Sequence, residues 1–249
     1  MAPGAVRQAE DILEALRVFG YASLGMRFTK EQLADIHESL AGKLLEENGH
    51  GKRCFTLEEV PPGVRMADYR LDDILDCPHI LQLANDPALL TLAARYIGCK
   101  PTLSAVGMRW SFPAQCEGEG LQAFHRDSDD WRFMKVFVYL TDVDEGGGPH
   151  VYVKGTHRTR APLRLRPYSD AEVKTAYGES QVVATIGPAG FAFAADTYGI
   201  HKGTVPTMRP RLLLQFQYSI LPVYMYRYHP LDYQGAHEFD PYINRLIFQ

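Results

Sequence analysis

The sequence predicts a mainly β (α+β) fold: a double-stranded β-helix, or jelly-roll, core with flanking helices on its N-terminal side. After Lys100, short runs of β-branched and aromatic residues begin to alternate with Gly, Pro and Asp turns. Their regular spacing is typical of a sandwich or jelly roll. Before Lys100, apolar residues recur mostly at helical spacing. Eight strands are expected, at residues 102–112, 121–127, 132–141, 149–154, 181–186, 190–196, 199–205 and 211–220.

Helices are expected through most of the first hundred residues. In the first helix, Leu13 and Leu16 fall on one apolar side. Thr29 and Gln32 form a capping box that begins the second helix, which is expected to end near Asn48. The expected helices cover residues 5–18, 30–48, 70–76 and 87–97, with a loop over residues 50–66.

One domain is expected over residues 1–249, since no internal repeat, low-complexity tract or interdomain linker interrupts the chain. An insertion covers residues 155–180, with a short helix expected near 169–176. The insertion, the loop around residues 50–70 and the tail are compatible with pocket walls or a lid, and the tail equally with a homodimer contact. Three parts follow one another, a helical flank, a jelly-roll core and a tyrosine-rich tail, at residues 1–100, 101–220 and 221–249.

Composition argues against several classes of partner and location. The formal net charge is -4 and no Lys/Arg run is present, which argues against nucleic acid and anionic lipid as partners. No apolar run approaches the roughly 20 residues that a membrane helix needs. The N-terminus lacks a basic segment followed by an apolar one, so no secretory signal is expected. The four cysteines form no Cys-x-x-Cys pair, which indicates reduced thiols in a cytoplasmic protein.

A His-x-Asp motif carries the main chemical signal. His125 and Asp127 flank one residue, so on a strand both side chains point to the same face. His201 lies on a later predicted strand. Two histidines and one carboxylate form the facial triad that holds non-haem Fe(II) and leaves coordination positions open. Each piece alone is weak, because Asp127 also suits a turn and His201 also suits a core histidine bonded to a carbonyl.

A polar strand face indicates a charged ligand inside the barrel. Period two places Arg211, Gln215 and Gln217 on one face of the last strand, and Arg109 on the corresponding polar face of the first. A guanidinium group can anchor a carboxylate through two parallel hydrogen bonds. The competing interpretation of Arg211 is an exposed strand residue. Lys135 suits either a contact with a substrate anion or a solvated edge position.

Three segments resemble the phytanoyl-CoA dioxygenase family: FHRDSDDW, FMKVFVYLTDVDEGGGPHVYVKGTHR and IHKGTVPTMRPRLLLQFQYS. The resemblance covers residues 100–220 and implies a double-stranded β-helix that uses Fe(II), the co-substrate 2-oxoglutarate and O2. It further implies that His125, Asp127 and His201 ligate the iron. Arg211 would then pair with the C5 carboxylate of 2-oxoglutarate.

The same resemblance implies three more residues at the 2-oxoglutarate site. Tyr139 is the aromatic residue on the strand after the His-x-Asp motif, and Met108 lies near a family position on the first core strand. Thr204 is the nearest hydroxyl after the distal histidine, because Gly203 stands where the family commonly has serine.

Two further residues are candidates for substrate contact. Trp131 follows the aspartate of the motif, with core packing as the competing interpretation, and Arg109 lies on the polar face. His150 is expected at the rim of the barrel rather than on the metal, and His157 at the surface. Asp196 is expected to form a turn.

The resemblance implies a dioxygenase that hydroxylates an unactivated C–H bond of a small metabolite, secondary-metabolite or lipid-like. 2-Oxoglutarate would be decarboxylated to succinate in the same cycle. Related halogenases lack the carboxylate ligand, so Asp127 favours hydroxylation, desaturation or cyclisation. One alternative is a catalytically silent jelly-roll protein that binds a ligand or supports a partner oxygenase, which the intact triad and arginine argue against. Another is a cupin-type metal enzyme without 2-oxoglutarate, which Arg211 argues against.

Overall fold

Two antiparallel sheets form the centre of the computed structural model, which describes residues 3–48, 53–159, 167–235 and 237–249. The strands are β1 (Tyr21–Met26), β2 (Leu45–Glu47), β3 (Cys54–Phe55), β4 (Met66–Tyr69), β5 (Thr102–Ser111), β6 (Phe133–Tyr139), β7 (His150–Val153), β8 (Val182–Thr185), β9 (Phe191–Ala195), β10 (His201–Gly203) and β11 (Arg211–Ser219). The helices are α1 (Pro3–Phe19), α2 (Lys30–Leu40), α3 (Leu71–Asp76), α4 (Ile80–Ala84), α5 (Pro87–Ile97), α6 (Asp170–Tyr177) and α7 (Pro241–Asn244).

The strand order confirms the predicted fold class. The large sheet runs β1-β9-β6-β11-β5-β4-β2-β3, and the small sheet runs β10-β7-β8. In the core of the large sheet, β9 pairs with β6, β6 with β11 and β11 with β5, so non-consecutive strands alternate, as expected when two halves of a barrel interleave. The His-x-Asp segment extends the small sheet through an antiparallel bridge between His125 and His201. This segment was expected to be a full strand over residues 121–127, but it is a 3-10 turn over Gly120–Gln122 followed by single bridges.

The two faces of β11 differ as the alternation predicts. Leu212, Leu214 and Phe216 are fully buried and pack in the main hydrophobic core between the large sheet and the helices. The opposite face carries Arg211 and Gln215, which pair in register with Ser111 and Gly107 of β5. The polar face therefore points into the barrel, where a ligand can reach it.

Most predicted helices are present. α1 buries Leu13 and Leu16, which are 1% and 0% exposed. The capping box at Thr29 and Gln32 is formed, and the predicted helices over 70–76 and 87–97 match α3 and α5. The helix expected near 169–176 is α6, while residues 160–166 of the insertion lie outside the described residues.

The N-terminal part contains more strand than was predicted. α2 ends at Leu40 rather than near Asn48, because Gly42 adopts a positive φ of 69° that turns the chain into β2. β1 pairs with β9, and β2, β3 and β4 extend the other edge of the large sheet. Strands this short are stabilised by their partners rather than by their own sequence, so their residues show no clear period.

Within the part of the chain that the structure describes, no helix combines the length and apolar character needed to cross a membrane.

Candidate active site

His125, Asp127 and His201 lie together at one end of the small sheet, and their potential ligand atoms are all within 4.8 Å of one another. The Nε2 atom of His125 is 3.5 Å from Oδ1 of Asp127, and Nε2 of His201 is 3.6 Å from Oδ2. The backbone sets this geometry, because His125 and His201 exchange two N–H to C=O hydrogen bonds of 2.9 and 3.0 Å. The N–H of Asp127 donates to the carbonyl of Thr197 at 2.9 Å.

Both imidazole rings are oriented to present Nε2 to a metal. Nδ1 of His125 lies 2.8 Å from the carbonyl of Ala123, and Nδ1 of His201 lies 2.9 Å from that of Gly199. A ring nitrogen beside a carbonyl oxygen must carry the proton, so each Nε2 keeps its lone pair. Burial, together with the neighbouring His125, lowers the pKa of His201 to about 3. At neutral pH His201 is therefore an unprotonated, metal-competent ligand.

Lys135 of β6 fixes the carboxylate of the triad. Its ammonium donates to Oδ2 of Asp127 at 2.7 Å and lies 3.3 Å from Oδ2 of Asp129. Burial acts to raise the pKa of Asp127, but Lys135 and His201 hold it well below its usual range. Oδ2 of Asp127 is thus hydrogen-bonded to Lys135, and Oδ1 is left for a single bond to a metal. Lys135 is buried because β6 is central in the sheet, so the solvated edge position is wrong.

A cavity of about 270 Å³ extends from the triad into the barrel, and we call it the metal cavity. Arg211 lies in its wall and is only 4% exposed. The Nη2 group of Arg211 donates to Oγ of Ser111 at 3.2 Å, whereas Nε and Nη1 have no acceptor among the described residues. A buried guanidinium with unpaired N–H groups is costly, so this arrangement suits an anionic ligand that accepts from them. The interpretation of Arg211 as an exposed residue is wrong.

Gly203 lies beside the guanidinium of Arg211. A Cβ atom at this position would lie 3.1 Å from Nη2 of Arg211, tighter than most natural Cβ contacts. A side chain here would therefore require the guanidinium to shift by a few tenths of an ångström. Thr204 is half-buried, donates its N–H to the carbonyl of Pro149 at 3.0 Å, and is not part of the cavity wall.

Two other residues expected at the 2-oxoglutarate site, Tyr139 and Met108, are not part of the wall of the metal cavity. Tyr139 is fully buried, and its hydroxyl donates to the carbonyl of Thr185 at 2.7 Å and accepts from the N–H of His150 at 3.0 Å. Phe137, two residues earlier on the same face, is the aromatic residue of β6 that lines the metal cavity. Met108 points to the opposite face of β5 and packs in the main core, because side chains alternate along a strand.

His150 is a wall residue that the sequence did not reveal. Instead of lying at the rim, it is 3% exposed, with its ring centroid 4.9 Å from that of Phe137 and 5.4 Å from that of His201. Neither ring nitrogen has a partner among the described residues. Burial holds the pKa of His150 well below its usual range, so the ring is neutral. His150 pairs with Gly203 across β7 and β10, a register that its local sequence does not specify.

The lowered pKa values of His150 and His201 predict how the stability of the metal-free protein depends on pH. In the unfolded chain both bind protons below about pH 6.5, whereas in the folded chain they stay neutral to lower pH. The unfolded state therefore gains protons first, and each histidine lowers the free energy of unfolding by about 1.4 kcal/mol per pH unit as the pH falls from 6.5. Urea unfolding at pH 7, 6 and 5 measures this slope.

The matched control is His150→Phe, which keeps an aromatic ring between Phe137 and Phe193 and retains His201. Between about pH 6.5 and 5, the free energy of unfolding of this variant should fall less steeply than that of the parent protein. The slopes should differ by the contribution of one histidine, about 1.4 kcal/mol per pH unit. Equal slopes in the two proteins would show that His150 is not held neutral.

The open side of the metal cavity is polar and is lined by the N-terminal region and the tail. Arg109 forms an ion pair with Asp68, with Nε to Oδ1 at 2.5 Å and Nη2 to Oδ2 at 3.1 Å. Met66, Met225 and Tyr226 complete this part of the wall. Arg109 thus lines the same cavity as the triad.

Trp131 lies elsewhere. Its side chain is 89% exposed and lines a second cavity, although it follows Asp127 by only four residues. Asp130 turns the chain here, because its carboxylate accepts the N–H groups of Ile220 and Leu221 at 2.6 and 2.8 Å. Core packing is also excluded as the role of Trp131.

Several solved structures have a similar fold. SnoK, a non-haem α-ketoglutarate-dependent carbocyclase from nogalamycin biosynthesis, superimposes with a TM-score of 0.61 and 18% identity over 84% of this chain and 85% of its own. The epimerase SnoN, in complex with Fe3+, α-ketoglutarate and nogalamycin RO, gives 0.61 and 20% over 86% and 84%. HygX from Streptomyces hygroscopicus, with nickel and 2-oxoglutarate bound, gives 0.61 and 17% over 91% and 92%.

The fold is that of the 2-oxoglutarate-dependent oxygenases. No protein-family model matches the sequence, and no curated protein matches it significantly. The narrower resemblance to phytanoyl-CoA dioxygenases therefore stays a prediction from the three sequence segments. The His-Asp-His cluster lies within this oxygenase fold as a facial triad candidate.

Proposed function

We propose that the chain is an Fe(II)- and 2-oxoglutarate-dependent dioxygenase that hydroxylates an unactivated C–H bond of a small metabolite. One observation carries the proposal: a facial triad and a buried, partly unpaired arginine face the same cavity. Neither feature has a structural purpose without a ligand, since a buried cation with unpaired donors destabilises the fold. A catalytically silent binding protein would have no need of both.

The residues present fit the metal and the co-substrate. His125 and His201 would each supply Nε2, and Asp127 would supply the carboxylate oxygen that Lys135 leaves free. Such a site suits Fe(II) and leaves positions for a 2-oxo acid and O2. Bound iron would supply the activation of O2 that is coupled to oxidative decarboxylation of 2-oxoglutarate.

Arg211 would bind the remote carboxylate of 2-oxoglutarate through its free N–H groups, with Ser111 holding the guanidinium in place. His150 lines the same cavity and offers one donor and one acceptor nitrogen. Phe137 covers the apolar part of the wall. The chain thus supplies charge at one end of the co-substrate and excludes water along its length.

A polar substrate fits the open side better than a lipid. The Arg109–Asp68 ion pair lies there, and the amide of Gln122 is 3% exposed without a partner among the described residues. Buried amides are stabilised by a ligand that pairs with them. Within the fold, HygX has been seen with hygromycin B and SnoN with nogalamycin RO, which also supports a polar secondary metabolite.

Hydroxylation is the outcome we propose, although SnoK is a carbocyclase and SnoN an epimerase within the same fold. Asp127 occupies the ligand position that halogenases leave open, which favours oxygen transfer over halide transfer. We further propose that residues 1–249 act as one catalytic unit in the cytoplasm, with the tail as a homodimer contact.

Anaerobic addition of Fe(II) and 2-oxoglutarate tests the proposal before any substrate is known. A weak visible charge-transfer band is expected from the protein with both added, and not with either alone. Arg209→Ala, which alters an exposed arginine close to the site, should keep the band. If iron binds, as measured by equilibrium dialysis, and no band appears, the protein does not use 2-oxoglutarate at this centre.

A further inference from the structure

A second, larger cavity lies outside the metal cavity and shares no wall residue with it. Its volume is about 750 Å³. We call it the arginine cavity and define it by Arg17, Arg95, Tyr96, Trp131, Arg132 and Arg158. α1 supplies Arg17 and α5 supplies Arg95 and Tyr96, while the others come from loops of the barrel.

The guanidinium groups of this cavity exceed the anions that could neutralise them. Arg95 pairs with Glu10 at 2.7 and 2.9 Å, and Arg17 donates to the carbonyl of Arg95 at 3.3 Å and to no other group among the described residues. Arg132 and Arg158 make no side-chain hydrogen bond or ion pair with any part of the chain that the structure describes. The whole chain carries a net charge of -4, so this local excess of positive charge is not a consequence of composition.

Two carboxylates border the arginine cavity, and both are already engaged. Asp130 accepts the backbone N–H groups of Ile220 and Leu221. Asp196 is half-buried, and accepts the hydroxyl of Tyr96 at 2.5 Å and the N–H of Tyr198 at 3.0 Å. With Glu10, these carboxylates number three against four guanidinium groups, so the cavity keeps a net positive charge, and the repulsion among its cations is relieved when an anion binds.

Aromatic rings complete the wall. Tyr96, Tyr198 and Phe133 line the cavity, and Trp131 stands at its edge with 89% of its surface exposed. So large an exposed apolar side chain is typical of a binding surface. The cavity volume falls within the range of small-molecule sites, about 300–1,000 Å³. The cavity thus offers charge for an anionic group and ring faces for an organic one.

From these contacts we propose that the arginine cavity binds a small organic phosphate. Guanidinium groups match the oxygens of a phosphate through parallel charge-assisted hydrogen bonds, and several converging cations favour a dianion over a single carboxylate. This proposal goes beyond the oxygenase function and does not depend on it.

The arginine cavity is joined to the segments that carry the triad. Arg126, between the two ligands of the motif, donates to the carbonyls of Thr156 and Tyr198 at 2.8 Å each. Its guanidinium also lies 5.3 Å from the ring centre of Tyr198. A bound phosphate therefore contacts segments that directly support His125 and Asp127.

Trp131 provides a direct reporter of binding, because the other tryptophan, Trp110, is buried and only 5% exposed. Inorganic phosphate and phenyl phosphate are titrated separately into the full-length protein while tryptophan emission and heat are recorded. We expect saturable binding that weakens with added salt, and tighter binding of phenyl phosphate than of inorganic phosphate. R132Q/R158Q should weaken binding at least about tenfold, because it removes two cationic donors.

The control K30Q/K174Q removes the same charge from exposed positions of α2 and α6 and should bind phenyl phosphate like the parent. Thermal unfolding checks that each variant is folded, and R132Q and R158Q singly replace the pair if it is not. No saturable binding to the parent, or equal affinity of the arginine variants and the parent, would overturn the site. Equal affinity for phenyl phosphate and inorganic phosphate would overturn the organic ligand.

Discussion

Asp127→Ala is expected to lower succinate formation from 2-oxoglutarate by more than about 100-fold, since even residues that only support a metal ligand contribute 10–100-fold. The substitution removes the anionic ligand and also leaves the buried ammonium of Lys135 with Asp129 alone. Loss of this negative charge beside His125 and His201 weakens the attraction of the site for a divalent cation. Iron content after anaerobic loading and succinate released per minute measure both effects.

Asp144→Ala is the matched control, because Asp144 is a half-exposed carboxylate whose partner, Arg209, is also at the surface. It should retain iron and turnover. Asp129→Asn tests the neighbouring carboxylate and should keep the metal, because its oxygen contacts Lys135 rather than the triad. Unchanged succinate formation in Asp127→Ala would remove Asp127 from the metal site.

Arg211→Ala is expected to raise the KM for 2-oxoglutarate about 100-fold, since each charge-assisted hydrogen bond contributes about 1.5–3 kcal/mol and two are available. Arg211→Lys should recover only part of the loss, because an ammonium keeps the charge without the planar fork. The KM is read from succinate formation at increasing 2-oxoglutarate, and kcat should fall less than kcat/KM.

Arg209→Ala serves as control for Arg211, since the two arginines are neighbours but Arg209 points to the surface, where it pairs with Asp144. An unchanged KM in Arg211→Ala would place the co-substrate carboxylate elsewhere. A loss of activity that excess 2-oxoglutarate does not restore would instead point to a structural role of the buried guanidinium.

The candidate triad was predictable because its ligand types and spacing are chemical requirements rather than structural ones. His125 and Asp127 must alternate on one face to bind the same ion, and the sequence displays that spacing directly. Arg211 was predictable for a related reason, since strand alternation places it with Gln215 and Gln217. The structure brings His125, Asp127, His201 and Arg211 to one cavity.

The burial of individual side chains and the register of the strand pairs could not be predicted from the sequence in this way. Lys135 and His150 are interior because of the strands that flank β6 and β7, which no local window of sequence specifies. The sequence also did not show that Gly203 lies beside the guanidinium of Arg211. The arginine cavity depends on side chains from segments far apart in the chain, so only the tertiary structure reveals it.

The backbone bridge between His125 and His201 determines at which stage of folding the two ligands meet. Two of the candidate ligands, His125 and His201, lie on segments that are remote in the chain. They become neighbours only when these segments pair at the edge of the small sheet. Contacts between remote segments form late, because the loop between them must first lose its freedom. Under the proposed function, we expect tight iron binding to follow completion of the barrel, so that metal uptake comes at the end of folding rather than at its beginning.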